Sequence, residues 1–282
     1  MTAISTDLST VRTRRPKDWT MIVAGTICLL LITVAILGPL LAPYPSDQTD
    51  VLAIGQGPSA SHLFGTDSLG RDIFSRVLVG ARLSFAAPLL IVLLSGLIGT
   101  AIAIFSAWNG RWVDRGVNRI LNVIFAVPGI LVAVIASAVF GAGFWAPVLG
   151  LSLVYVPYVA RVVRSAAVRE RQLPYVEGLQ LAGLSSWSIC AKHILRNVAP
   201  LLLAQATIGF GSALVDFAGV SFVGLGVQAP AAEWGVMVSE GRSEVLAGAI
   251  QQSLAAGMCI VVTVVAFNIL GDRLVNRFGG AQ

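Results

Sequence analysis

Charge is what this chain has least of. Only 12% of its 282 residues are Asp, Glu, Lys or Arg, half of the roughly 25% carried by an ordinary soluble domain. Hydrophobic residues make up 56% and the mean hydropathy is +0.83, a balance that excludes a soluble globular domain and marks an integral membrane protein. Cysteine is scarce too. Cys28, Cys190 and Cys259 lie far apart, two of them inside apolar runs, which excludes a disulfide framework and a zinc-type spacing. The two histidines, His62 and His193, are too few for a histidine-rich metal centre, and no metal site is expected. No G-x-x-x-x-G-K-[ST] loop is present, so this chain does not carry ATP hydrolysis of that kind. No H-E-x-x-H is present either, and no nucleophile–base pair is evident within the apolar runs, which argues against an intramembrane enzyme.

What the chain does have is long uncharged runs. Residues 19–46, 83–110 and 245–271 contain no ionised side chain, and each is long enough to cross a hydrocarbon core of about 30 Å as a helix. Residues 120–160 are also uncharged. The glycines of Phe140–Phe144 divide that run into two crossings. A further run, from Val198 to about Val223, holds a single acid, Asp216. The reading is an all-α integral membrane protein with six transmembrane helices, at about 20–42, 84–107, 120–140, 145–163, 198–219 and 248–271. The apolar run at 19–46 exceeds the 7–15 residues of a signal-peptide core, and Pro39, Pro43 and Pro45 crowd the zone where cleavage would fall, so it counts as a span.

Six spans put both termini on one side. Fifteen of the 19 Lys and Arg then share that side, the others being Arg71, Arg76, Arg82 and Arg242. The positive-inside rule makes it the cytoplasm. Residues 1–19 become a cytoplasmic tail, 43–83 an extracytoplasmic segment, 84–271 a five-span core with a polar loop at 161–197, and 272–282 a second cytoplasmic tail. Topology thus accounts for the net charge of +5, and no nucleic-acid partner is expected.

The stretch "LPYVEGLQLAGLSSWSICAKHILRNVAP", Leu173–Pro200, breaks the apolar pattern. Pro174 suits the first turn of a helix, and Glu177 favours its positive N-terminal end. Tyr175, Leu179 and Ala182 follow at i, i+4 and i+7, one apolar stripe on a helix of about nine residues. Gly183 can take the left-handed conformation that ends it, and Ser185 or Ser186 can cap the helix that returns through Trp187, Cys190 and Ile194. Such a helix either lies on the lipid interface or docks in a partner's groove.

Glu177 followed by Gly183 and an apolar return helix resembles the E-A-A-x-x-x-G loop of bacterial ATP-binding-cassette importer permeases. Gly178 and Leu179 replace the two alanines, and "HILRN" puts Arg196 where these permeases usually have proline. "FGTDSLGRDIFSRVLVGARLSF" (64–85) and "VSFVGLGVQAPAAEWGVMVSEGR" (220–242) are similar to segments of the dipeptide/oligopeptide/nickel subfamily and its C-type permease. The resemblance implies a bacterial inner-membrane subunit that shares a solute pathway with a second homologous permease. It further implies two cytoplasmic ATPase subunits, or one two-domain ATPase, which bind ATP and magnesium; this chain holds no cofactor. An extracytoplasmic binding protein delivers a peptide, a nickel chelate or a similar solute. Pro174, Tyr175, Glu177, Leu179, Ala182 and Gly183 would form the coupling helix that receives the ATPase.

Two other sets of residues are candidates. Asp67, Arg71, Asp72 and Arg76 place acid before base at i, i+4, the favourable order on a helix. They are expected either as a solvated amphipathic helix or as a docking surface for the binding protein. Asp216 is an acid within a span and a functional candidate by default, whether toward a cationic solute, toward a basic residue of the second permease or near the outer interface. The competing reading is an ion-coupled secondary carrier, which needs acids or histidines along an ion path; only Asp216 qualifies.

Overall fold

The computed structural model describes residues 18–279; residues 1–17 of the tail expected at 1–19, and residues 280–282 of the tail expected at 272–282, lie outside them. Helix follows the uncharged runs. The elements are α1 (Trp19–Leu41), α2 (Ile73–Asn109), α3 (Arg111–Phe125), α4 (Gly129–Phe140), α5 (Trp145–Arg171) and α6 (Pro174–Leu181). A short turn α7 (Ser186–Ser188) and a π-helical turn (Ile189–Ile194) lead into α8 (Leu195–Phe222). The chain ends with α9 (Trp234–Glu240), α10 (Arg242–Leu246) and α11 (Gln251–Gly279). Among the described residues, five helices are long and apolar enough to span a membrane, or six if α3 and α4 count as one broken crossing.

Three expected boundaries are corrected. The helix expected at 84–107 begins at Ile73, so no separate amphipathic helix precedes it within 43–83. Residues 43–72 are irregular, with one short 3-10 turn at Val51–Ala53 and an isolated bridge between Thr66 and Asp72. The span expected at 120–140 is bent by 78° between α3 and α4. Pro128 is the cause: it lacks an N–H and disfavours helix in the residue before it. The loop expected at 161–197 is mostly helix, because α5 continues to Arg171 and the return rod begins at Ser186.

α2 lies at the centre, packed on α1, α5 and α8. Small residues permit its closest approaches. A Cβ on Gly99 would lie 2.9 Å from that of Val159 on α5, and one on Gly150 would meet Ala133 of α4, the close spacing that glycine allows between membrane helices. Three of the four apolar clusters among the described residues locate the helices. Phe85, Phe210, Trp234 and Phe267 anchor one, with Phe210 and Phe267 stacked at 4.2 Å. Ala87, Val148, Leu151 and Phe217 anchor the second. Ala107, Val163, Val176, Ile189 and Val198 anchor the third. In this order α2 and α5 run parallel, since early residues of both meet in the second cluster and late residues in the third. At the α6 end, Arg171 Nη1 donates to the Ala107 carbonyl at 2.6 Å. Asp18 and Arg273, near the two described ends, pair at 3.3 Å.

Candidate functional site

The polar stretch folds into a braced hairpin. Pro174 opens α6, and at the other end Gly183 has φ +78°. The Leu184 N–H reaches back to the Leu179 carbonyl at 3.1 Å and the Gly183 N–H to Gln180 at 3.0 Å. This pair of bonds ends a helix where only glycine adopts the required φ without strain. Ser185 then caps α7, accepting from the Ser188 N–H at 3.3 Å.

Ala182 is the C-cap rather than a member of the helix, which has 8 residues. The apolar stripe is also corrected. Val176 is buried, and Tyr175 and Leu179 pack with it on the third apolar cluster, against α2, α5 and the return rod. An apolar stripe beside so much unburied hydrocarbon satisfies itself inside the chain. Pro174, Glu177, Gly178 and Leu181 form the outward face instead, with Leu181 90% exposed and Trp187 81% exposed nearby.

A polar lock holds α6 in place. The Tyr175 hydroxyl donates to Glu170 Oε1 at 2.7 Å, and Asn197 Nδ2 donates to the same oxygen and lies 3.3 Å from the Tyr175 hydroxyl. Glu170 lies in the last turn of α5 and Asn197 in the first turn of α8, so the three residues tie α6 to both neighbouring helices. Burial, and then the Glu170 carboxylate, push the Tyr175 phenol up to about 12. Glu170, Asn197 and Val176 were not anticipated from the sequence. The acid that closes α5 and the asparagine of "HILRN" were visible there, but not their meeting.

Asp67, Arg71, Asp72 and Arg76 are buried, which corrects their expected role as an exposed docking surface. Nor do they form a helix of their own, since only Arg76 is helical, in the first turn of α2. Asp67 accepts from the Leu69 and Arg71 N–H groups in a turn, and Asp72 caps α2 through Ser75. Asp67 does pair with Arg71, at 2.5 Å. Asp72 pairs with His62 at 3.0 Å rather than with Arg76. Glu240, at the end of α9, accepts from Arg71 Nη2 at 3.0 Å and from Arg76 Nη2 at 2.7 Å. Arg76 also donates to the carbonyls of Ser46 and Pro230. These charges clamp the 43–72 segment and the α8–α11 connection onto the start of α2. Buried charge survives only when paired in this way.

The α9 turn is seated by the same means. Glu233 caps it, accepting from Gly235 and Val236 N–H groups at 2.9 and 3.0 Å and from the Ser84 hydroxyl at 3.1 Å. Trp234 Nε1 donates to the Val77 carbonyl at 3.0 Å. A Cβ at Gly235 would lie 2.5 Å from the Ala218 carbonyl oxygen, so only glycine lets α9 lie this close to α8. Asp216, half-buried on α8, accepts from the Tyr155 hydroxyl at 2.9 Å.

The chain was compared with known families and structures. A family model described as "Binding-protein-dependent transport system inner membrane component" matches residues 98–280, and the "N-terminal TM domain of oligopeptide transport permease C" matches residues 17–58. The glutathione transport system permease protein GsiD of Pectobacterium atrosepticum is 38% identical, over 90% of this chain and 84% of its own. A probable D,D-dipeptide transport system permease protein, DdpC of Escherichia coli, is 36% identical over 93% and 89%. The solved MetNI methionine ABC transporter, in inward-facing conformations, superposes with a TM-score of 0.50 at 20% identity, covering 69% of this chain and 94% of that one.

Proposed function

Because the chain belongs to the family of inner membrane components of binding-protein-dependent transport systems, as a multi-pass permease subunit of an ATP-binding-cassette importer, we propose that it imports short peptides and receives its ATPase on α6. The peptide reading rests on relatives named for glutathione and D,D-dipeptide transport. A second homologous permease completes the pathway. Two cytoplasmic ATPase subunits, or one two-domain ATPase, bind ATP and magnesium, and an extracytoplasmic binding protein delivers the solute.

In this reading the broken α3–α4 pair is a single crossing. Parallel packing of α2 and α5 supports it, since the chain must return across the membrane between them. Six crossings put Asp18, Arg273 and α6 at one end, the end rich in Lys and Arg, and that end is cytoplasmic.

The observation that carries the mechanism is the lock of Glu170, Tyr175 and Asn197. A force applied to the outward face of α6, at Glu177 and Leu181, passes through it to α5 and α8 together. ATP binding draws the ATPases together, and the paired permeases convert that motion into outward opening.

The test is uptake by the assembled complex in proteoliposomes, with D-alanyl-D-alanine and glutathione as probes. Uptake of at least one should require ATP and the binding protein and survive collapse of the proton gradient. Uptake without any ATPase, or loss with the gradient alone, points to an ion-coupled carrier and overturns the reading.

A further inference from the structure

Two rows of polar side chains meet on an outward face of the spanning helices α5 and α8. On α8, Gln205, Ser212 and Asp216 fall at i, i+7 and i+11, one stripe of a 3.6-residue helix. Ser212 is exposed and the other two are half-buried. On α5, Tyr155, Tyr158 and Arg161 recur every third residue. The rows are bonded to each other. Tyr155 donates to Asp216 Oδ2 at 2.9 Å. Tyr158 donates to Gln205 Oε1 at 2.8 Å. Toward the α6 end, Arg161 Nη2 donates to Asn122 Oδ1 at 2.9 Å, with its guanidinium over the Phe125 ring at 4.2 Å.

Lipid is a poor neighbour for such a face, because ionisable groups at membrane depth face protein or a water-filled cavity. The charges are also ordered, with a carboxylate at one end of the ladder and a guanidinium at the other. Tyr155, which holds Asp216, and Arg161 are six residues apart on one helix, a rise of about 9 Å. Three residues of extended peptide span about 10 Å.

We propose that this ladder is the wall of the solute pathway, and that it reads a zwitterion: Asp216 takes the protonated amine of a di- or tripeptide-sized solute and Arg161 its carboxylate. The Tyr155 bond engages Asp216 Oδ2, leaving the second oxygen for the amine. Tyr158, Gln205 and Ser212 supply neutral hydrogen bonds between the charged ends. The solute class rests on the peptide reading above.

The experiment probes the pathway without any substrate. In the assembled transporter, with Cys28→Ala, Cys190→Ala and Cys259→Ala as background, Ser212→Cys is treated with a trimethylammonium-bearing and a sulfonate-bearing methanethiosulfonate. Normalised to the rates of the two reagents with a free small thiol, whose own thiolate charge already favours the cation, the cationic preference should be at least about tenfold larger, because the Asp216 charge acts at short range in a weakly screened site. Adding Asp216→Asn should return the ratio to the free-thiol value. Failure of the Ser212→Cys thiol to react with either reagent shows a face sealed by a partner or by lipid and overturns the pathway. A ratio no larger than that of the free thiol, or an excess that persists in Asp216→Asn, overturns the role of Asp216. In uptake, Asp216→Asn should lower D-alanyl-D-alanine entry about tenfold or more while Asp216→Glu stays within about threefold; equal effects of the two also overturn it. Failure of the native complex to take up either peptide refutes the peptide reading, while the reagent ratio still decides the wall.

Discussion

Replacing Tyr175 with Phe removes one hydroxyl and little else, because the ring keeps its packing beside Val176. The hydroxyl bonds the carboxylate of Glu170, a nearly buried group that would retain only Asn197. A hydrogen bond to a charged partner contributes about 1.5–3 kcal/mol. The loss falls on a local opening, since α6 is held to α5 and α8 through this lock. Amide exchange over 174–184 in the assembled complex should therefore quicken by about 10- to 100-fold, at about 1.4 kcal/mol per decade. Exchange in α11, which lies outside the lock, should be unchanged. Asn197→Ala should be non-additive with Tyr175→Phe, because both act on one oxygen. The pH dependence follows from the raised phenol. The folded state holds the Tyr175 proton more tightly than the unfolded chain, so the lock is fully present below pH about 10 and is lost as pH rises toward about 12. Between pH 6 and 9 the effect of the variant should be flat. Exchange unaltered by Tyr175→Phe, or additivity with Asn197→Ala, would refute the lock.

Three further predictions concern stability. Arg76→Ala leaves the buried Asp67 and the half-buried Glu240 to share Arg71 alone, an effect of up to about 3–5 kcal/mol, and should appear as a thermally fragile complex rather than as normal assembly with poor delivery; a stable complex would return these residues to a docking role. Gly178 has open space around a Cβ, so Gly178→Ala should stabilise α6 by up to about 1 kcal/mol. Gly183→Val also meets no neighbour, but its φ of +78° makes it cost about 1–2 kcal/mol or more. Both are read from exchange over 174–184, and changes of the opposite sign would contradict the assignment of α6.

The sequence was legible where local chemistry decides. Pro174, Gly183 and Ser185 act through backbone groups within a few residues, and each does what its residue type favours. It was misleading where distant residues decide. Arg76 pairs with Glu240, 164 residues away, and nothing in a local i, i+4 spacing distinguishes a buried clamp from a solvated face. Tyr175 and Leu179 read as an outward stripe only when Val176, which shares their buried face, is left out of it. The break at Pro128 was visible as a residue, but an uncharged run on both sides masked its effect. Asp216 stood out by charge alone, while Tyr155, its partner on another helix, had no sequence signal.

Cross-linking from Leu181 tests the central claim most directly. In the cysteine-free background, Leu181→Cys carrying a short photoactivatable cross-linker should capture the ATPase subunit in the intact complex. An inward-facing control, Leu179→Cys, should capture it far less. Labelling of the Leu181→Cys thiol by an impermeant reagent from outside the cell, or capture only of lipid, would contradict the account.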